Sequence, residues 1–299
     1  MQIVNMSKKE FQKLKPLELD KNITNTEAQM YLFSKKERWE RLYFILKRLY
    51  HDSGEIFSNK LYTINELLDK KDIIGLEELI MPSALSTVDN EVVGFLMPYI
   101  PNINFQTILD SKDYTVEQKV KYLKEIGEIL EKVRKAREYT SVKDFYLNDI
   151  HENNFILNTK TGKINVCDLD SSKIGHNLVS AARYLTPVSQ LSTVSKYKKA
   201  ERSARGYFEV DGNTEIYCYI VMIFKYFYGA NIGMLLKDEY YLYLEYLSSL
   251  GISKEFLDIV AKIYMGGDNI NPYEYLDELV GFYGKTHKNT FDMVRTRVY

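Results

Sequence analysis

The chain has 299 residues, 45% hydrophobic and 27% charged, enough apolar surface to bury a sizeable core and too much for a disordered chain. Its 40 Lys and Arg against 41 Asp and Glu leave a formal charge of -1, so no global basic field invites an anionic partner and no nucleic-acid ligand is expected. Two cysteines, Cys167 and Cys218, are too few for a disulfide framework, and the four histidines show no zinc-site spacing, which makes a reducing cytoplasm the expected compartment.

Met1 to Glu10 carries Lys8 and Lys9 without an apolar run behind them, so no secretory signal is expected. Two apolar runs, Met30-Tyr31-Leu32-Phe33 and Leu42-Tyr43-Phe44-Ile45-Leu46, flank the charged segment Ser34 to Arg41 and predict two strands joined by a turn. A helix is expected near Lys60 to Lys70. Glu91 to Met97 reads as a strand halted at Pro98, with Pro101 close behind, and this is the predicted lobe boundary, dividing the chain into 1–97 and 98–299.

Helical signals dominate beyond that point. Thr115 and Gln118 have capping-box spacing, and Val116, Val120, Leu123, Gly127 and Leu130 fall on one face of a helix running to about Arg137. Phe155-Ile156-Leu157 and Lys163 to Cys167 predict a β-hairpin with Thr161-Gly162 in its loop. The run from Ile216 to Tyr228 is broken by Lys225 and is shorter than the roughly 18 apolar residues of a membrane span. It predicts a helix buried on all sides and stopped at Gly229. A further helix is expected over Ser253 to Met265, before Gly266-Gly267. The fold class is α+β, a small, mostly antiparallel β front followed by a larger α-helical rear.

Chemistry concentrates in Leu147-Asn148-Asp149-Ile150-His151-Glu152-Asn153-Asn154, followed after the hairpin by Val166-Cys167-Asp168-Leu169-Asp170. Asp149 and Asn154 have D-x-x-x-x-N spacing, which arises about once by chance in a chain like this. The signal is the combination of that pair, an immediate hairpin and an apolar-to-Asp step at its end. Phosphoryl transfer needs a positioned acceptor hydroxyl and Mg2+ held by hard oxygens. Asp149 would accept the hydroxyl proton, and Asn154 and Asp168 would hold metal. The plainer alternative is an Asx turn at 149–154 and a polar loop at 168–171.

With the rest of the chain, these motifs resemble the protein-kinase-like superfamily, which implies a bilobal fold with ATP and Mg2+ in the cleft. Phe44-Ile45-Leu46-Lys47 looks like the V-A-I-K strand, whose Lys neutralises phosphates and pairs with a helix Glu. Glu66, 19 residues after Lys47, is the expected partner, although Thr63-Ile64-Asn65-Glu66 also has capping-box spacing, and Glu77 or Glu78 could substitute. Gly94 to Ile100 resembles the last front strand and hinge, which would place Met97, Tyr99 and Ile100 against adenine. Glu215-Ile216-Tyr217-Cys218-Tyr219 resembles the start of the central rear helix, where the family usually has Asp at position 215.

The departures from the family shape the expectations. Asn22 to Gln29, where the phosphate-covering loop should lie, contains no glycine, so the side chains of Thr26 and Gln29 are the candidate phosphate donors. Asp170 stands in place of the Gly of D-F-G, and Leu147-Asn148 replaces His-Arg. His151 makes the loop D-x-H-x-x-N, similar to aminoglycoside and choline phosphotransferases, so the hydroxyl acceptor is a protein or a small molecule. The polar stretch 183–205, with Lys196, Lys198, Lys199, Arg202 and Arg205, would be the activation segment. A pseudokinase binding module is the non-enzymatic alternative.

Overall fold

The computed structural model describes residues 2–17, 28–37, 40–50, 54–180, 184, 207–208, 210–228, 232, 237–264 and 270–282. Five strands form the front sheet, in the order β1 (Ile3–Met6), β4 (Ala84–Val88), β5 (Glu91–Pro98), β3 (Glu40–Leu49) and β2 (Ala28–Glu37). The two expected strands are a longer hairpin than their apolar runs suggested. Lys35, Lys36 and Arg41 continue the ladder, opposite Leu42, Arg41 and Lys36, because backbone pairing extends past the core.

All neighbouring pairs in this sheet are antiparallel except β1 with β4, which run parallel. Strand β1 and the one-turn helix α1 (Lys8–Phe11), closed by a Ser7–Glu10 capping box, were not foreseen. They cover one face of the sheet, where Met6, Tyr31, Leu46 and Leu96 are buried against Val4, Phe11, Leu14, Phe33 and Phe44. The opposite face, carrying Ala28, Leu49, Leu85, Phe95 and Met97, belongs to the main core. The sheet is therefore buried on both sides, and the period-2 alternation of side chains assigns each residue to one core or the other.

Helix α2 spans Gly54–Ile74 and buries Thr63, Ile64, Leu67 and Ile74. It extends beyond the expected Lys60 to Lys70, and Thr63 to Glu66 lies in its middle. The capping-box alternative therefore fails: the Thr63 hydroxyl donates to Asn59 O one turn back, at 3.0 Å. The connection after α2 ties the front to the rear, with Ile80 N donating to Val166 O (2.9 Å) and Val166 N to Glu78 O (2.8 Å).

In the rear, β6 (Asn102–Asn104), β7 (Phe155–Asn158) and β8 (Ile164–Val166) form a small antiparallel sheet beside the short helix α3 (Phe105–Asp110). Helix α4 (Val116–Tyr139) has the expected capping box at Thr115 and Gln118 and buries Val120, Leu123, Gly127 and Leu130. Helix α5 (Gly212–Tyr228) is the expected central helix: every side chain from Thr214 to Phe224 is buried. Each such apolar side chain contributes about 1.5–3 kcal/mol. Helices α6 (Lys237–Ser249) and α7 (Lys254–Tyr264) pack beyond it, followed by the 3-10 segment Pro272–Phe282. The expected stops at Gly229 and at Gly266-Gly267 lie outside the described residues. Among the described residues, no helix is long and apolar enough to cross a membrane.

Candidate active site

The loop from Leu147 to Asn154 is held from behind by a buried ion pair. Glu215, on the first turn of α5, accepts a hydrogen bond from Leu147 N at 2.7 Å and pairs with Arg137 of α4 at 2.8 Å. Arg137 also donates to Phe145 O at 2.9 Å and lies over the Tyr146 ring, 4.3 Å from its centroid. Burial pushes the Glu215 carboxyl up in pKa, opposed by Arg137 and the Leu147 N–H. The Glu215 side chain thus reaches the loop backbone from helix α5. Nothing in the local sequence marked Arg137 as its partner.

The loop turns sharply at Asn148, whose φ of 61° is the left-handed conformation that asparagine tolerates, and its side chain donates to Ser171 O at 3.0 Å. Asp149 follows. Asn154 Nδ2 donates to Asp149 O at 2.8 Å and lies 3.4 Å from Asp149 Oδ2, so its side-chain oxygen is the atom left to meet a cation. His151 caps the 3-10 turn Glu152–Asn154 by accepting from Asn153 N through Nδ1, and its Nε2 lies 3.3 Å from Asp149 Oδ2. The turn is more than an Asx motif, because Asn154 O accepts from Cys167 N at 2.9 Å and places the asparagine one residue from Asp168.

Asp168 has φ 63° and ψ 42°, a strained position for a non-glycine residue, and opens the 3-10 turn Leu169–Ser171. Its carboxylate pairs with Lys47, and its side chain keeps 33% of its surface exposed. Partial burial and the neighbouring Asp170 charge push the Asp168 carboxyl up, against the pull of Lys47. Asp170 is only 2% exposed, yet Lys47 and Lys60 outweigh its burial and hold it well below the usual carboxylate range.

Lys47 is 3% exposed and sits on β3 opposite Met30 and Phe95. Strand β5 approaches it closely through Gly94, where a Cβ would collide with the Lys47 carbonyl oxygen. Burial works against the Lys47 charge, but the Asp168 and Asp170 carboxylates overcome it and raise its pKa.

The expected Lys47 to Glu66 pair is not formed. Glu66 Oε2 is 2.6 Å from Lys70 Nζ, one turn along the same helix, and its carboxylate faces Gly175. Glu78 does not fill the role either, since its carboxylate pairs with Lys132 of α4; the backbone carbonyls of Glu77 and Glu78 accept from Asn165. The partners of Lys47 come instead from the loop after β8, and helix α2 contributes a cation, Lys60, 2.8 Å from Asp170 Oδ2. Asp170 stood out in the sequence only as a departure from glycine, and Lys60 carried no local signal.

Gln29 is also corrected. It lies in β2 opposite Arg48, one step out of phase with the Met30 and Lys47 pair, so it shares the sheet face of Tyr31 and Leu46. That face is turned away from Lys47. Thr26 lies outside the described residues. At the hinge, Met97 points with Lys47 into the main core, whereas Tyr99 is 43% exposed and its N–H donates to Tyr43 O at 3.1 Å. Ile100 O accepts from Asn102 Nδ2 at 2.6 Å. Two hinge backbone groups are thus engaged within the protein. Of the stretch 183–205, only Tyr184 is among the described residues. It hydrogen-bonds to the buried Glu152, which also receives Lys225 at 2.7 Å, a network absent from the sequence reading.

The architecture matches a crystal structure of the PknI kinase domain of Mycobacterium tuberculosis, a double mutant, with a TM-score of 0.52 over 86% of this chain and 91% of that one at 14% identity. The chain has a protein-kinase-like fold. No protein-family model matches the sequence, and no curated protein sequence matches it.

The donor set fits the nucleotide and metal of such a fold. Asp168 and Asn154 carry the hard oxygens that Mg2+ prefers, on segments tied by the Cys167 N to Asn154 O bond, and Lys47 would supply a cation for phosphate oxygens. Asp149 stands on the same loop, braced from behind.

Proposed function

We propose that the chain is an ATP- and Mg2+-dependent phosphotransferase that acts on a protein hydroxyl, with residues 1–97 as its front lobe and 98–299 as its rear lobe. The observation that carries this reading is the convergence of Lys47 from the front sheet with Asp168 from the end of the rear hairpin, next to Asn154 and the Asp149 loop. The bound metal would neutralise charge on the transferred phosphoryl group. Asp149 would orient the acceptor hydroxyl and take its proton, Asn154 and Asp168 would hold the metal, and Lys47 would draw in phosphate oxygens. Met97, Tyr99 and Ile100 would border the adenine. Two free cysteines and the balanced charge suit a reducing, cytoplasmic setting.

One observation favours a small-molecule acceptor as the second reading. His151, within 3.3 Å of Asp149 Oδ2, supplies a second polar group at the position where the acceptor hydroxyl would arrive. Labelled ATP with Mg2+ tests both, offered with a protein extract in one arm and a panel of amino-sugar and amino-alcohol metabolites in the other. Transfer to protein supports the first reading and transfer to a metabolite the second. A folded protein whose melting temperature does not move at millimolar ATP with Mg2+ would sink both and leave the binding-module alternative.

A further inference from the structure

We propose that Asp170 is the positioning residue of Lys47, in the role expected of a helix glutamate, and that Lys60 on helix α2 is its counter-charge. This rests on the phosphotransferase reading above and adds a residue to it. The two carboxylate oxygens of Asp170 are divided between two lysines: Oδ1 lies 2.7 Å from Lys47 Nζ and Oδ2 lies 2.8 Å from Lys60 Nζ. All three side chains are sequestered, with 4%, 0% and 11% of their surfaces exposed for Lys47, Asp170 and Lys60. In so dry a setting the geometry of an ion pair is tightly held, and removing one member leaves an uncompensated charge.

The second lysine matters because a carboxylate facing one ammonium alone is free to turn. With Oδ2 held by Lys60, Oδ1 stays on Lys47 and keeps the ammonium in place when Asp168 faces a cation. The same bridge ties helix α2 to the metal loop, the link that Glu66 does not make because it is paired with Lys70.

Two measurements decide the matter. In the ligand-free protein, a denaturant double-mutant cycle on Lys60→Met and Asp170→Asn should show non-additivity of at least tenfold in the unfolding equilibrium constant. The single variant Glu66→Gln should leave the Lys60 and Asp170 coupling unchanged. Additive effects would overturn the proposal. If Asp170→Asn alone does not fold, the cycle is run with Asp170→Leu, which removes the charge and fills the space with an apolar side chain.

The second measurement is ATP affinity. The pair Asp170→Asn with Lys60→Met, which preserves net charge, should weaken ATP binding at least tenfold. Asp170→Asn with Lys60→Glu, which moves the carboxylate onto helix α2, should recover affinity to within about threefold of the parent. Parental affinity in the first pair, or no recovery in the second once folded, would overturn the positioning role. A parent that binds no ATP would refute the phosphotransferase reading itself, and the ligand-free cycle then decides the Asp170 proposal alone.

Discussion

The two walls of the cleft are built by different means. The rear wall is fixed largely through backbone groups: Leu147 N on Glu215, Asn154 O from Cys167 N, Asn148 onto Ser171 O, and the reciprocal Tyr146 and Lys173 hydrogen bonds at 2.9 Å. The front wall holds Lys47 through side-chain charge alone, on carboxylates that come from the opposite wall. Leu147 is anchored through its N–H, which is indifferent to its side chain, whereas Asn148 contributes its own amide and the left-handed φ of 61° that asparagine tolerates. A charge held only by side chains pairs with whatever carboxylate lies within reach, and here that is Asp168 and Asp170 of the loop and not Glu66 of helix α2.

The largest expected effect breaks the chemistry of the rear wall while sparing its shape. Asp149→Asn should lower turnover by about 10²–10⁴-fold with little change in ATP affinity, measured by steady-state kinetics and nucleotide titration. Asp168→Asn should instead weaken metal-dependent ATP binding along with turnover. An equal loss of ATP affinity in the two variants, with both folded, would sink the division of roles.

Removing the brace comes next. Glu215→Ala strands the Arg137 guanidinium and the Leu147 N–H in the interior, at a cost of about 3–5 kcal/mol for a broken buried pair. Chemical denaturation checks this, and Glu215→Asp should lose much less, since it keeps the charge. Comparable losses in the two would show that side-chain volume, not charge, matters there.

Acid titration probes the second rear anchor. Burial alone would raise the Glu152 carboxyl, but Lys225 and Tyr184 lower it to about 2. A depressed carboxylate pKa contributes stability in full above the unfolded value of about 4.5, and that contribution is lost as pH falls toward 2. The parent should therefore exceed Glu152→Gln by about 3 kcal/mol at neutral pH, and the gap should close between pH 4.5 and 2. Unfolding midpoints across that range would read it, and a gap independent of pH would contradict the assignment.

The smallest effect sharpens the picture of the front wall. Gln29→Ala should leave ATP affinity within about twofold of the parent, because Gln29 lies on the sheet face away from Lys47. A larger loss, read by nucleotide titration, would mean that the β2 register differs in the nucleotide complex.

Much of the rear half was legible from residue order because its determinants are local. The capping box at Thr115 and Gln118, the hairpin before Asp168 and the apolar run of α5 each lie within a few turns of chain. The D-x-x-x-x-N pair and the aspartate after the hairpin were likewise readable as one constellation, since a short hairpin leaves little freedom in where its ends meet. The front half was less legible. Its apolar runs showed the β2 and β3 hairpin but not how far it extends, and β1 gave no signal because its four residues pair with a strand some 80 positions away.

By itself, then, the amino-acid order determined the longer helices and strands and the α+β division, and it singled out Lys47, Asp149, Asn154 and Asp168 as candidates. Tertiary structure decided which groups became partners. Spacing from Lys47 pointed to Glu66, but the rotation of helix α2 turned Glu66 toward Gly175 and Lys60 toward Asp170. One step of strand register placed Gln29 on the other core. Both outcomes have the same physical reason: a helix face or strand face is set by packing across the whole lobe, and a charge buried there pairs with whichever opposite charge that packing brings within about 3 Å.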